Sequence, residues 1–125
     1  MWGKAFRESL WAASVIWLAF FATTVGAQTP PDRAKQTADR FLQVLERRPT
    51  PGTALDRVYA YHLQAGTLDE LIDGQEKSYE EKVQANAPEA AARHATLLGL
   101  LHSRRGDQPS AVEAYLNAEK ASQDD

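Results

Sequence analysis

The sequence predicts an all-α fold of antiparallel helix pairs stacked as a short right-handed solenoid, preceded by a helical signal or anchor segment. Three observations predict it. Apolar residues after Gln28 recur every three or four positions, with no strand-like alternation. Proline and glycine punctuate that pattern at points suited to helix starts and stops. Two stretches also match each other at an offset of forty residues, as a stacked helical repeat would.

The first segment has the three-part order of a secretory leader. Lys4 and Arg7 give a mildly basic start, Leu10 to Val25 is almost wholly apolar and aromatic, and Val25-Gly26-Ala27 ends in small residues. Cleavage is expected after Ala27. The alternative is an uncleaved inner-membrane anchor, but the apolar run is shorter than the ~20 residues that span a bilayer core comfortably. No basic cluster follows it either, the next cation being Arg33. The expected location is therefore outside the cytoplasm, periplasmic or secreted, with membrane contact only through a retained leader.

Removal of 27 of the 125 residues leaves 98, enough for one small domain. The leader takes two cations and one anion with it, so the remainder has 12 Lys and Arg against 16 Asp and Glu. That mild acidity, with no basic stripe, argues against a nucleic-acid partner. The absence of cysteine excludes disulfides, thiolate metal sites and thiol catalysis, so packed helices must supply the stability.

Residues 28–50 hold the first helix of the mature chain. Thr29-Pro30-Pro31-Asp32 forms its start, with Thr29 as the cap and proline tolerated in the first turn. Ala34, Ala38, Phe41, Leu42 and Leu45 form its apolar stripe, and Pro49 and Pro51 stop it. Residues 51–125 form the paired domain, with pairs at about 53–86 and 88–122. The second helix, Thr53 to Ala65, presents Leu55, Val58, Tyr59 and His62, and Gly66 terminates it. Thr67 and Glu70 have the spacing of a capping box, opening a third helix with Leu68, Leu71, Ile72 and Tyr79 that ends near Asn86. Pro88 opens a fourth helix, to Arg105, with Ala91, Ala95, Leu98 and His102 on one face and Gly106 beyond its end. Asp107 caps the last helix, where Ala111, Val112, Tyr115, Ala118 and Ala121 form the stripe; Ser122 to Asp125 are expected to fray.

His62 and His102 are forty residues apart, as are Gly66 and Gly106, and Val58 matches Leu98, Leu71 matches Ala111 and Ile72 matches Val112. Ala95, Leu98, Gly99, Gly106, Ala111, Tyr115 and Ala118 fall at the spacings of the tetratricopeptide repeat, which the stretch from about Ala92 to Asp125 resembles. Small residues at Gly99 and Ala111 suit a close crossing, and Gly106 suits the turn. The chain departs from the family at Ala95, where a larger aromatic is usual, and at Gln123, where a proline closes the motif. In the first pair Tyr59 replaces the glycine and Gln75 the aromatic, and the offset exceeds the family's period of roughly 34. The resemblance, to the exported kind with a signal peptide, implies a non-catalytic scaffold that binds another protein or peptide.

In that family the first helix of each pair lines the ligand groove. By resemblance the groove residues here are Arg93, Thr96, Leu100 and Arg104, with Asp56, Ala60, Leu63 and Gln64 in the first pair. Two arginines beside an apolar step suit a carboxylate-bearing peptide, because guanidinium binds carboxylate through two hydrogen bonds. The asparagines of the family's chaperone-tail clamp are missing. An ordinary solvated helix face is the alternative reading of the same residues.

No catalytic, metal or cofactor site is expected. The repeat equivalence of His62 and His102 points to packing, and His94 is separated from His102 by Leu98 on the same face. Asp69, Glu70 and Asp73, and likewise Glu76, Glu80 and Glu81, read as solvated acidic faces. Ser78, Ser103, Ser110 and Ser122 lack a nucleophile-elbow context. The last helix is expected to leave an apolar patch at Ala111, Tyr115, Leu116 and Ala118, where a following helix would pack in a longer array. A homo-oligomer or a bound partner would cover it. Two further readings stand beside the scaffold: a membrane-tethered self-associating segment, and the front of a longer exported repeat protein.

Overall fold

The computed structural model describes residues 29–123, and every element among them is an α-helix. The leader and its cleavage point at Ala27 lie outside the described residues. The chain divides into a first unit, Met1–Arg33, and a second, Ala34–Asp125. In the described part of the first, the Thr29 hydroxyl donates to Asp32 Oδ2 at 2.6 Å. Thr29 thus meets a side chain and not the orphan amides a cap would serve.

The helices are α1 (Pro30–Arg47), α2 (Thr53–Ala65), α3 (Leu68–Gln84), α4 (Pro88–Arg105) and α5 (Gln108–Gln123). The predicted bounds of α2 and α4 agree with these, because a glycine ends each. Gly66 and Gly106 take left-handed φ of 74° and 86°, where a β-carbon is penalised. The amide after each glycine bonds back to the carbonyl of His62 or of His102, both at 2.9 Å. Asn86 ends α3 in the same way at φ 53°, with the Ala87 amide bonded to the Lys82 carbonyl at 2.9 Å. A left-handed turn therefore recurs every twenty residues, at 66, 86 and 106. Asparagine is among the few bulkier residue types that take this conformation at small cost.

The two ends predicted to be capped by side chains differ. Asp107 Oδ1 accepts from the Ser110 amide at 3.3 Å, as expected of a cap on α5. Thr67 makes no side-chain cap on α3. Its hydroxyl is engaged 2.7 Å from His62 Nδ1, which takes it out of the capping box read from the sequence. The C-terminal residues 122 and 123 also remain helical, with the Ser122 hydroxyl bonded to the Ala118 carbonyl at 2.8 Å.

The core gathers Leu45 of α1, Leu55 and Val58 of α2, Leu68, Leu71 and Ile72 of α3, Leu97, Leu98 and Leu101 of α4, and Ala114 of α5. Leu97 and Leu101 are wholly buried, and each such burial stabilises by about 1.5–3 kcal/mol. On α1 Ala38 and Leu45 are buried, Phe41 and Leu42 half-buried, and Ala34 exposed. Ala34 therefore belongs to the solvent face and not to the predicted stripe.

From α2 onward consecutive helices pack on each other, α4 with α5 most extensively, α3 with α4 next and α2 with α3 least. Residue volume accounts for the order. A β-carbon added at Gly99 would come within 2.6 and 2.8 Å of the Tyr115 ring, so α4 and α5 can approach only because none is there. Ala111, Ala114, Ala118 and Ala121 supply a matching ridge of small buried residues on α5.

Candidate functional site

The groove residues predicted on α4 are engaged one by one. Arg93 pairs with Glu89 on its own helix at 3.6 Å. The Thr96 hydroxyl turns back to the Ala92 carbonyl at 2.8 Å. Leu100 packs against the core cluster. Arg104 reaches α2, bonding Asp56 Oδ1 at 2.9 Å while its guanidinium lies 5.8 Å from the centre of the Tyr59 ring. Arg105, absent from the predicted groove, pairs with Asp69 of α3 at 2.7 Å. The sequence could not show these tertiary pairings, since the partners stand 36 or more positions away.

One face therefore joins Asp56, Tyr59 and Arg104 across α2 and α4. The two charged side chains are each 50% exposed, so their pair adds at most about 1 kcal/mol. What it contributes is position: Asp56 and the Tyr59 ring hold the guanidinium between them. Leu63, further along α2, is among the exposed large hydrophobic residues, and Gln64 is also exposed.

The predicted end patch takes a different composition from the one expected. Ala111 and Ala118 are buried, 1% and 8% exposed, because they belong to the ridge that meets α4. Val112, Tyr115 and Leu116 stay exposed, at 54%, 39% and 59%. Burial of part of its ring raises the Tyr115 hydroxyl above the usual phenol value.

A buried polar node joins α1, α3 and α4 and was not legible in the helical pattern. Gln75, 4% exposed, donates from Nε2 to Glu46 Oε1 at 2.9 Å and accepts at Oε1 from His94 Nδ1 at 2.8 Å. One amide thus satisfies both of its ends on two other helices, as a buried polar group must. Burial pushes the His94 pKa down; Glu46 opposes that shift, and Lys82 and Arg93 add to it. His94 is therefore a packing residue with a defined tautomer.

His62 and His102 play parallel parts. Burial lowers the His62 pKa as well, against Asp39, Thr67 and Glu70. His102 lies 3.8 Å from Asp107 and 4.0 Å from Glu76. Each histidine thus stands beside the residue that follows its own helix's turn, Thr67 or Asp107. Hydrogen bonds from Ser110 hold the Asp107 carboxyl below its usual range. His62 Nε2 and His102 Nδ1 are buried without a hydrogen-bond partner.

A cleft of about 230 Å³ opens between α3, α4 and α5, with Glu76, Glu80, Glu113 and His102 on its walls. Among the described residues no group of three or more His, Cys, Asp or Glu is placed to hold a metal ion. No helix among them is long and apolar enough to cross a membrane. No family model, curated protein or solved structure matches the chain.

Proposed function

We propose that this chain is a non-catalytic protein-binding scaffold of the tetratricopeptide-like kind, acting outside the cytoplasm. The observation that carries the reading is the Asp56–Arg104 bridge at 2.9 Å, with Arg104 over the Tyr59 ring. A contact between the first helices of the two pairs is what a stacked pair repeat would make. Short turns of two or three residues between α2 and α5 favour antiparallel neighbours, as in a right-handed solenoid. The equivalent left-handed turns at Gly66 and Gly106 support the same repeat.

The ligand in this reading is a peptide ending in a carboxylate, bound on the α2/α4 face. Arg93 is its anchor, since that side chain is held only by an exposed carboxylate one turn away. Competition with Glu89 then selects ligands that bind the guanidinium through two oxygens. The leader directs export, and the mature chain starts at Gln28.

A fluorescent free-acid peptide library, screened against the same peptides amidated, tests this reading by anisotropy. Arg93→Ala should weaken the selected free-acid peptides at least tenfold, and Arg104→Ala should weaken them by disordering the Asp56–Tyr59 seat. Equal binding of acid and amide peptides, or indifference to both substitutions, would remove the carboxylate groove.

A further inference from the structure

The cleft of about 230 Å³ between α3, α4 and α5 shares no residue with the arginine face. An apolar cavity of roughly 150 Å³ already admits a benzene, so the space suffices for a small organic molecule. Its floor is apolar, with Leu98 at 6% exposure and Tyr79 half-buried against the core. Its rim carries three exposed carboxylates, Glu76 and Glu80 one turn apart on α3 and Glu113 on α5. Among the described residues Glu80 and Glu113 enter no ion pair, and neither lysine nor arginine lines the cleft.

His102 makes the cleft more than an acidic surface. Its side chain is only 11% exposed, and neither ring nitrogen has a hydrogen-bond partner, Nδ1 being buried. Asp107 takes the Ser110 amide on Oδ1 and turns Oδ2 to His102 Nδ1 at 3.8 Å, which favours the ring proton there. Nε2 then presents its lone pair to Glu76 Oε1 across 4.0 Å, two acceptors with no donor between them. Acceptors at that spacing both come within about 2.9 Å of one nitrogen placed between them. An ammonium there satisfies the imidazole and the carboxylate together. The other carboxylates do not converge on that point, since among the described residues no group of three His, Cys, Asp or Glu is placed to hold a metal ion. The negative charge is strung along the cleft, and its complement is a cation of several centres joined by apolar links. We propose that the cleft binds a linear aliphatic polyamine. One ammonium sits between His102 and Glu76, a second between Glu80 and Glu113, and the methylenes cross Leu98 and Tyr79. A single pairing with an exposed carboxylate holds a cation weakly, so two charged ends on one apolar stem are what the site selects.

The probes are spermidine, putrescine and butylamine, titrated calorimetrically into the full chain at about 0.15 M salt, where diffuse attraction is screened. Saturable binding of spermidine and putrescine is expected, each at least tenfold tighter than butylamine, which has the same stem as putrescine and one ammonium. Glu80→Gln and Glu113→Gln should each weaken spermidine at least fivefold, while Glu119→Gln, on α5 but outside the cleft, leaves it unchanged. Circular dichroism should show all three variants folded, since these glutamates face solvent. In long-range nitrogen NMR spectra the His102 Nε2 signal should move on addition of spermidine and that of His94 should stay. Arg93→Ala should leave spermidine binding intact, so that failure of the carboxylate groove and failure of this cleft are read separately. Absence of saturable binding, equal affinity for butylamine, displacement by an equal charge of magnesium, or indifference to Glu80 and Glu113 overturns the inference. So does tighter binding of a lysine-rich peptide than of spermidine, because a protein side chain would then be the occupant.

Discussion

Between α4 and α5 the crossing is lined by Gly99, with the Tyr115 ring against it, and by Ala111, Ala114, Ala118 and Ala121. The corresponding positions between α2 and α3 are Tyr59, Gln75, Leu71, Gly74, Ser78 and Glu81, of which Gly74 and Glu81 are exposed. The second pair closes tightly, whereas the first meets less and turns the face of α3 holding Leu68, Ile72 and Gln75 toward α4 and α1. Yet both pairs make the same glycine turn. A turn sets where the chain reverses; the volume of the side chains at the crossing sets how near the two helices then come.

The largest way to break that contrast is to put a side chain at the tight crossing. Gly99→Val should cost about 1–3 kcal/mol in urea unfolding, the usual range for overpacking, because the Tyr115 ring must leave its place. Adding Tyr115→Ala should remove most of that penalty. A full penalty in the double variant would mean that the ring is not what limits the approach of α4 to α5.

The turns should behave alike where the crossings do not. Gly66→Ala and Gly106→Ala should each cost about 1–2 kcal/mol, since both force a β-carbon into the left-handed region. Widely different costs would show that one pair depends on its turn and the other does not. At the open crossing the sign reverses. Gly74 lies inside α3 with nothing within 4 Å of an added β-carbon, so Gly74→Ala should stabilise by about 0.5–1 kcal/mol. Thermal melts of the Gly74 and Gly99 variants, moving in opposite directions, would express the difference between the pairs most directly.

The smallest effect concerns pH. Burial holds the folded-state pKa of His94 below its ordinary 6.5. Below that value the unfolded chain takes up a proton that the folded chain refuses, so stability falls with pH until the folded-state histidine protonates too. The loss belongs to acid and vanishes above the ordinary value. Urea midpoints at about pH 7.5 and pH 5 should differ less in His94→Asn, whose amide can still donate to Gln75. His62 is also shifted down and remains in that variant, so a residual slope is expected.

The helix limits were legible in the sequence because glycine and proline act locally, as at Gly66, Pro88 and Gly106. Burial was legible where an apolar residue lay in the stripe, as at Val58 or Leu98. Two features depended on residues far apart in sequence, and a third on a side chain five positions back. Gln75 reads as a polar gap in α3 until Glu46 and His94 are brought to its two ends. Thr67 reads as a cap until His62 engages its hydroxyl. Arg104 reads as a free groove cation until Asp56 meets it. The end patch was placed on the right helix but partly on the wrong side, because Ala111 and Ala118 serve the crossing while Val112 does not.

The left-handed turns at 66, 86 and 106 have one more consequence. Residues 66 and 106 have the same backbone conformation, each at the end of one helix with the next starting two residues on. Unequal recombination between the coding stretches for these two points would join like geometry to like. It would add or delete a unit of forty residues without cutting through a helix. Length variation in a chain of this kind should therefore come in whole units with breakpoints at the turns, while the Gly99 crossing decides which of the copied units still closes.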